Sequence, residues 1–156
     1  TTNNNGNNNT TVTPSAPSTP TVTPDTSNNN SSSDNGGSTY GNGSAILSAA
    51  AAYLGVPYVW GGKSPSGFDC SGLMYYLFSQ YGIYVSPSSS AIPAGGVDVG
   101  GIANALPGDI VCYPGHVALY IGGGQVIHAP QPGDVVKISS ANMGGTMSII
   151  AVRRYW

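Results

Sequence analysis

Apolar positions divide this chain into two unlike parts. Between Thr1 and Gly43, Val12 and Val22 are the only branched aliphatic residues and Tyr40 the only aromatic; the rest is almost wholly Thr, Asn, Ser, Pro and Gly. Such a stretch cannot bury enough apolar surface to offset the entropy of ordering it. Residues 1–43 therefore read as a disordered linker, biased toward extended conformations by Thr13-Pro14, Thr19-Pro20 and Thr23-Pro24. From Ser44 the pattern changes. Ser44, then the strong helix formers Ala45 to Leu54, then Gly55 predict a capped helix over 44–54. After a turn-rich connection through Pro57–Gly62 and Pro65–Gly67, Leu73, Leu77 and Tyr81, flanked by Met74 and Phe78, give one apolar face. They predict a second helix over 70–81, ended by Gly82, with Cys70 in its first turn.

Beyond a loose Ser/Pro/Gly stretch from Val85 to Gly101, the period shortens to that of strands. The turn Leu106-Pro107-Gly108-Asp109 opens a strand at Ile110–Tyr113. His116–Ile121 and Gln125–Ala129 flank Gly122-Gly123-Gly124 as a hairpin, and Val135–Ser139 and Ser148–Arg154 add two further strands. Helices first and antiparallel strands after define the α+β class, with one folded domain over 44–156.

Charge narrows the range of partners. The folded part sets Asp69, Asp98, Asp109 and Asp134 against Lys63, Lys137, Arg153 and Arg154, a formal balance of zero. Nucleic acid, which needs clustered positive charge, is not expected as a partner. No apolar run approaches the roughly 20 residues of a membrane span, and the start lacks a basic-then-apolar leader. An Asn/Thr/Pro-rich start reads as an internal linker, so a preceding region such as a signal peptide and a further domain is expected. The two cysteines do not make a disulfide framework. Cys70 sits in a Gly/Ser-flanked turn and reads as a reactive thiol, whereas Cys112, in the run Ile110-Val111-Cys112-Tyr113, reads as a buried hydrophobe.

A cysteine at a helix start meets the positive end of the helix dipole and unpaired N–H groups, which favour a thiolate and can hold an oxyanion. That position, with an imidazolium beside it, is expected to bring the thiol pKa down toward neutrality. The chain has two histidines, both in the hairpin, and their even separation puts His116 and His128 on one face unless a bulge intervenes. The simplest assignment makes His116 general base and acid for Cys70, with His128 orienting the His116 ring. A zinc site from His116, His128 and a Cys or Asp is the competing use, though the short His-x-His or His-x3-His spacing is missing and the chain contains no Glu. Taken singly, each of these residues also has a purely structural reading.

Five segments in order carry a resemblance: Tyr58-Val59-Trp60-Gly61-Gly62, Phe68-Asp69-Cys70-Ser71-Gly72-Leu73, Leu106-Pro107-Gly108-Asp109, Gly115 to Gly122 with His116 at its head, and Ile127-His128-Ala129-Pro130. Together they resemble the NlpC-type family of peptidoglycan endopeptidases across residues 44–156. The resemblance implies a papain-like fold, the helix bearing Cys70 packing on an antiparallel sheet bearing His116 and His128. It implies no cofactor or metal, and acyl transfer on the peptide stem of peptidoglycan, typically between D-isoglutamate or isoglutamine and the third, diamino residue. It further implies that Tyr58 lines the site near the oxyanion and that Asp69 and Ser71 contact the stem. Where many relatives carry a Pro-Arg-Thr-Ser-like segment followed by Gln, this chain has Ser86–Ile92 with neither Arg nor Gln, so the substrate rim is expected to differ.

The resulting expectation is a monomeric, secreted or wall-associated bacterial hydrolase acting on muropeptides and tethered through its tail. Rival readings are an amidase or cross-bridge peptidase of the same mechanism, an acyltransferase, and a catalytically silent wall-binding module.

Overall fold

The computed structural model describes residues 40–156; residues 1–39, most of the predicted linker, lie outside it. Helix α1 spans Tyr40–Ala51, so it starts ahead of Ser44, which lies inside the helix and whose carbonyl accepts from Ser48 Oγ at 3.1 Å. In the sequence Gly43 looks like a helix breaker. It is there because the chain passes so close: a Cβ at 43 would meet the Pro107 carbonyl at 2.6 Å and the Trp156 ring at 2.7 Å. The helix then tightens through Ala52, Tyr53 and Leu54, each N–H donating three residues back, before Gly55 turns to donate to Val136 O at 2.8 Å.

A two-strand ribbon, β1 (Lys63–Ser64) with β2 (Gly67–Phe68), leads into α2 (Cys70–Ser79). Leu73, Met74, Leu77 and Phe78 are fully buried, so the predicted apolar face is the face that packs. Tyr81 departs from it: it is exposed beyond the helix end, and its hydroxyl donates to Ala45 O. Gly82 supplies the stop. With φ of 71°, it lets Ile83 donate to Phe78 O and its own N–H to Ser79 O, the paired bonds of a Schellman ending.

The remaining strands form one antiparallel sheet: β3 (Val97–Asp98), β4 (Ile110–Tyr113), β5 (His116–Gly122), β6 (Gln125–His128), β7 (Lys137–Ser140) and β8 (Ala151–Arg154), in the order β3-β8-β4-β5-β6-β7. Strand β3 lies within the stretch that reads as loose in sequence, because two exposed residues pairing with β8 leave no periodicity to detect. Alternation along β4, β5 and β6 builds a core on each face. Cys112, Val117, Leu119 and Ile127 meet α2 on one side, while Val111, Tyr113, Ala118, Val126 and Val152 are covered on the other by Ala141, Met143, Met147 and Ile149. The Pro-Gly-Asp turn has a structural task. Asp109, fully buried, takes a bidentate pair from Arg154 at 2.8 and 2.7 Å and accepts Leu106 N–H at 2.8 Å, joining the start of β4 to the end of β8.

Candidate active site

Asp69 fixes the start of α2. It is the N-cap, with extended backbone, and its Oδ1 accepts from Gly72 N at 2.6 Å. Its other oxygen accepts from Gly61 N at 3.0 Å, and its own N–H donates to Gly62 O at 3.0 Å. The Tyr58–Gly62 loop is thereby clamped over the helix terminus. Gly72 is required by that approach, since a Cβ there would run into the Gly62 carbonyl. Ser71, itself buried, donates to Pro87 O at 3.0 Å and leans on Asp69 Oδ1 at 3.3 Å. Asp69 and Ser71, expected to touch substrate, thus both have their polar atoms engaged in holding the loop and helix together. Tyr58 sits at the mouth of this clamp, tied by its N–H to Asp134 O at 2.9 Å. Its hydroxyl pKa is raised by burial, then by the Asp69 carboxylate and by Cys70 whenever that thiol is ionised.

Cys70 is the first helical residue and 9% exposed. Three backbone N–H groups bear on its sulfur: its own, that of Ser71, and that of Val117 on β5. The last of these sets the thiol beside the residue that follows His116. The expected fall in thiol pKa does not occur. Burial pushes the thiol up and the Asp69 carboxylate pushes in the same direction, outweighing the three N–H groups. Burial also drives His116 down to about 4. At rest Cys70 is therefore favoured as a thiol and His116 as a neutral imidazole, rather than as a thiolate and an imidazolium.

The two histidines meet because of the irregularity that threatened to part them. Across the turn, Gly122 pairs with Gln125; that register continued would set His128 against Leu119, with the imidazoles on opposite faces. A bulge between Tyr120 and Gly122 shifts it, so that Tyr120 faces Val126 and Leu119 faces Ile127. His128 then comes opposite Ala118, two residues from His116 and on its face. His116 Nε2 and His128 Nδ1 are hydrogen-bonded at 2.8 Å, ring planes at 77°, both side chains buried. Tyr113, paired across β4 with His116, backs that ring at a centroid distance of 5.8 Å and is itself anchored by donation to Ala141 O at 2.6 Å. Burial, then the neighbouring His116 and Lys137, push His128 down to about 4 as well.

One member of this arrangement was not foreseen. His128 Nε2 is hydrogen-bonded to Ser139 Oγ at 2.8 Å. Ser139 lies on β7 opposite Val126, two pairs beyond the His128–Lys137 pair, and so on the same face. Nothing in the sequence marks it, because the register of β7 is not readable from composition. The far side of the histidine pair opens on a cavity of about 790 Å³, lined by His116, His128, Lys137, Ser139, Met143 and Met147 among others. Cys112 is fully buried, its thiol pushed up to about 12 by burial. Among the described residues, no three His, Cys, Asp or Glu side chains converge as a metal site would require.

A helix opening on a cysteine, packed on an antiparallel sheet with helices ahead of strands, is the papain-like α+β architecture of NlpC/P60 structures. The chain belongs to the NlpC/P60 family, whose model matches residues 55–153. It is 45% identical over 109 residues to Protein P54 of Enterococcus faecium, covering 64% of this chain and 20% of that protein. It is 34% identical over 106 residues to the gamma-D-glutamyl-L-lysine dipeptidyl-peptidase of Bacillus subtilis, covering 63% of this chain and 36% of that one. Among solved structures, the NlpC/p60 domain of the peptidoglycan hydrolase SagA superposes with a TM-score of 0.64 at 40% identity, covering 72% of this chain and 97% of that domain. The chain therefore spans from 20% to 36% of the length of these two curated relatives.

Proposed function

We propose that this chain is a peptidoglycan-directed cysteine endopeptidase that cuts the stem peptide between D-isoglutamate or isoglutamine and the third, diamino residue. The observation that carries the reading is the 2.8 Å bond from His128 on β6 to His116 at the head of β5, the strand whose next N–H, that of Val117, bears on the Cys70 sulfur. Family membership and relatives named as a gamma-D-glutamyl-L-lysine dipeptidyl-peptidase and a peptidoglycan hydrolase support the substrate class.

Cys70 acts as nucleophile. As its sulfur attacks the scissile carbonyl, the thiol proton passes to His116 and the three N–H groups hold the developing negative charge. His116, held by His128, then gives that proton to the leaving amine, and the C–N bond breaks to leave a thioester. Water attacks the thioester, delivering its proton to His116. The carboxylic acid departs, and the proton on His116 returns to Cys70. Tyr58 lines the thiol side of the site, while Asp69 and Ser71 shape the stem's binding surface through the loop they clamp. Such an enzyme works outside the membrane, on the wall or its fragments, as a monomer.

The test of the scissile bond is mass spectrometry of disaccharide tri- and tetrapeptides after incubation with the protein. A disaccharide dipeptide is the expected product. Cleavage at the lactyl amide or within a cross-bridge would instead place the chain among amidases or cross-bridge peptidases of the same mechanism.

A further inference from the structure

Three ring nitrogens of the histidine pair have a place in the geometry: His116 Nε2 bonds His128 Nδ1, and His128 Nε2 bonds Ser139 Oγ, each at 2.8 Å. The fourth, His116 Nδ1, must take a proton if His116 is to be the base. We infer that Ser139 is a positioning residue: by accepting from His128 Nε2–H it keeps both histidines in the tautomer that leaves a lone pair on His116 Nδ1. This rests on the proposed role of Cys70 and His116 in acyl transfer.

Proton bookkeeping leads there. One proton lies between His116 Nε2 and His128 Nδ1, and it can belong to either ring. If it belongs to His116, neutral His116 has its lone pair on Nδ1 and can receive the thiol proton. His128 must then carry its own proton on Nε2, a buried donor that needs an acceptor. Ser139 Oγ is the acceptor in place. If the shared proton belongs instead to His128 Nδ1, neutral His116 carries its proton on Nδ1 and cannot act as a base. A hydroxyl satisfies either order. Its removal, however, leaves an N–H unpaired only in the productive one, and buried unpaired donors are the rarer and costlier defect. The same order is needed when His116 becomes imidazolium during turnover. Both of its nitrogens then carry protons, and His128 can receive from Nε2–H only by passing its own donor on to Ser139. Ser139 is half-buried and lines the cavity beyond the histidines, so its hydroxyl proton can turn there while its lone pair faces His128.

The chain contains only two histidines, which makes a direct reading practical. The experiment is imidazole ¹⁵N NMR of the full chain at neutral pH without substrate, for wild type, Ser139→Ala and Ser139→Thr, alongside steady-state cleavage. Expected in wild type is a proton on Nε2 and a lone pair on Nδ1 of both rings. In Ser139→Ala the proton of His128 moves toward Nδ1 and kcat falls about 10- to 100-fold with KM unchanged, and Ser139→Thr restores both readouts. Protons on Nδ1 of both wild-type rings would overturn the inference without recourse to any variant, as would a Ser139→Ala protein with unaltered tautomers and kcat. Failure of wild type to cleave stem peptides would sink the proposed activity, and the resting-state spectra would still decide the tautomer question.

Discussion

Cys70 and Cys112 belong to the same apolar core, one at the start of α2 and the other on β4, and both are free thiols with little or no solvent exposure. Burial pushes both thiols up. Around Cys112 only the charge of Arg153 opposes it, itself countered by Asp98, and the thiol's hydrogen bond is to an acceptor, the Ile110 carbonyl at 3.9 Å. Around Cys70 the same pressure is met by three N–H donors, and the neighbouring strand begins with a histidine held by a second one. Under the proposed function, reactivity at Cys70 does not need a low resting pKa: the donors and the His116 base act as charge develops, and the thiolate forms with the attack and not before it.

The sharpest way to break this contrast is to exchange its terms. Cys70→Ala should lower stem-peptide cleavage by about 10⁴-fold or more with thermal stability little changed, whereas Cys112→Ala should leave kcat intact and cost about 1 kcal/mol of stability through a small cavity. Comparable loss of activity from both would refute the distinction. Next in size, His128→Ala should cost about 10²-fold in kcat through a misdirected His116 ring, less than His116→Ala, measured in the same assay. Asp69→Ala should lower stability by about 1–2 kcal/mol in denaturant titration through loss of the N-cap, and should loosen the Tyr58–Gly62 loop.

The smallest effect concerns pH. Folded His116 and His128 titrate near 4, against about 6.5 in the unfolded chain. Between those values the unfolded chain binds protons that the native state refuses. The melting temperature should therefore hold above pH 6.5, fall as pH drops toward 4, and fall less steeply in His128→Asn. The same low value keeps His116 neutral in mild acid, so the acid limb of kcat/KM should lie below about pH 5. A limb near 6.5 would contradict the buried, neutral pair.

Much of this was readable from the chain. Cys70 at a helix start, the stop at Gly82 and the hairpin about Gly122–Gly124 each have local signatures, and the strand Ile110–Tyr113 falls where its pattern puts it. What escaped was non-local. Gly43 looks like a breaker until the Pro107 carbonyl and Trp156 ring it admits are known. The bulge after Tyr120 has no marker among the glycines, yet it decides whether His116 and His128 share a face. Ser139 lies within an edge strand with no apolar rhythm, so its partner is set by the register of β6 and β7 alone. The thiol pKa went the other way because helix position is a local property, while the burial that overrides it belongs to the whole fold.

Cys70 as the nucleophile of a metal-independent acyl transfer is the centre of the proposed function. Its most direct test is cleavage of purified muropeptides by wild type and Cys70→Ala, side by side in the presence of a strong chelator. Cleavage by wild type alone, undiminished by the chelator, is the predicted result; cleavage by Cys70→Ala at the wild-type rate, or its abolition in wild type by the chelator, would contradict it.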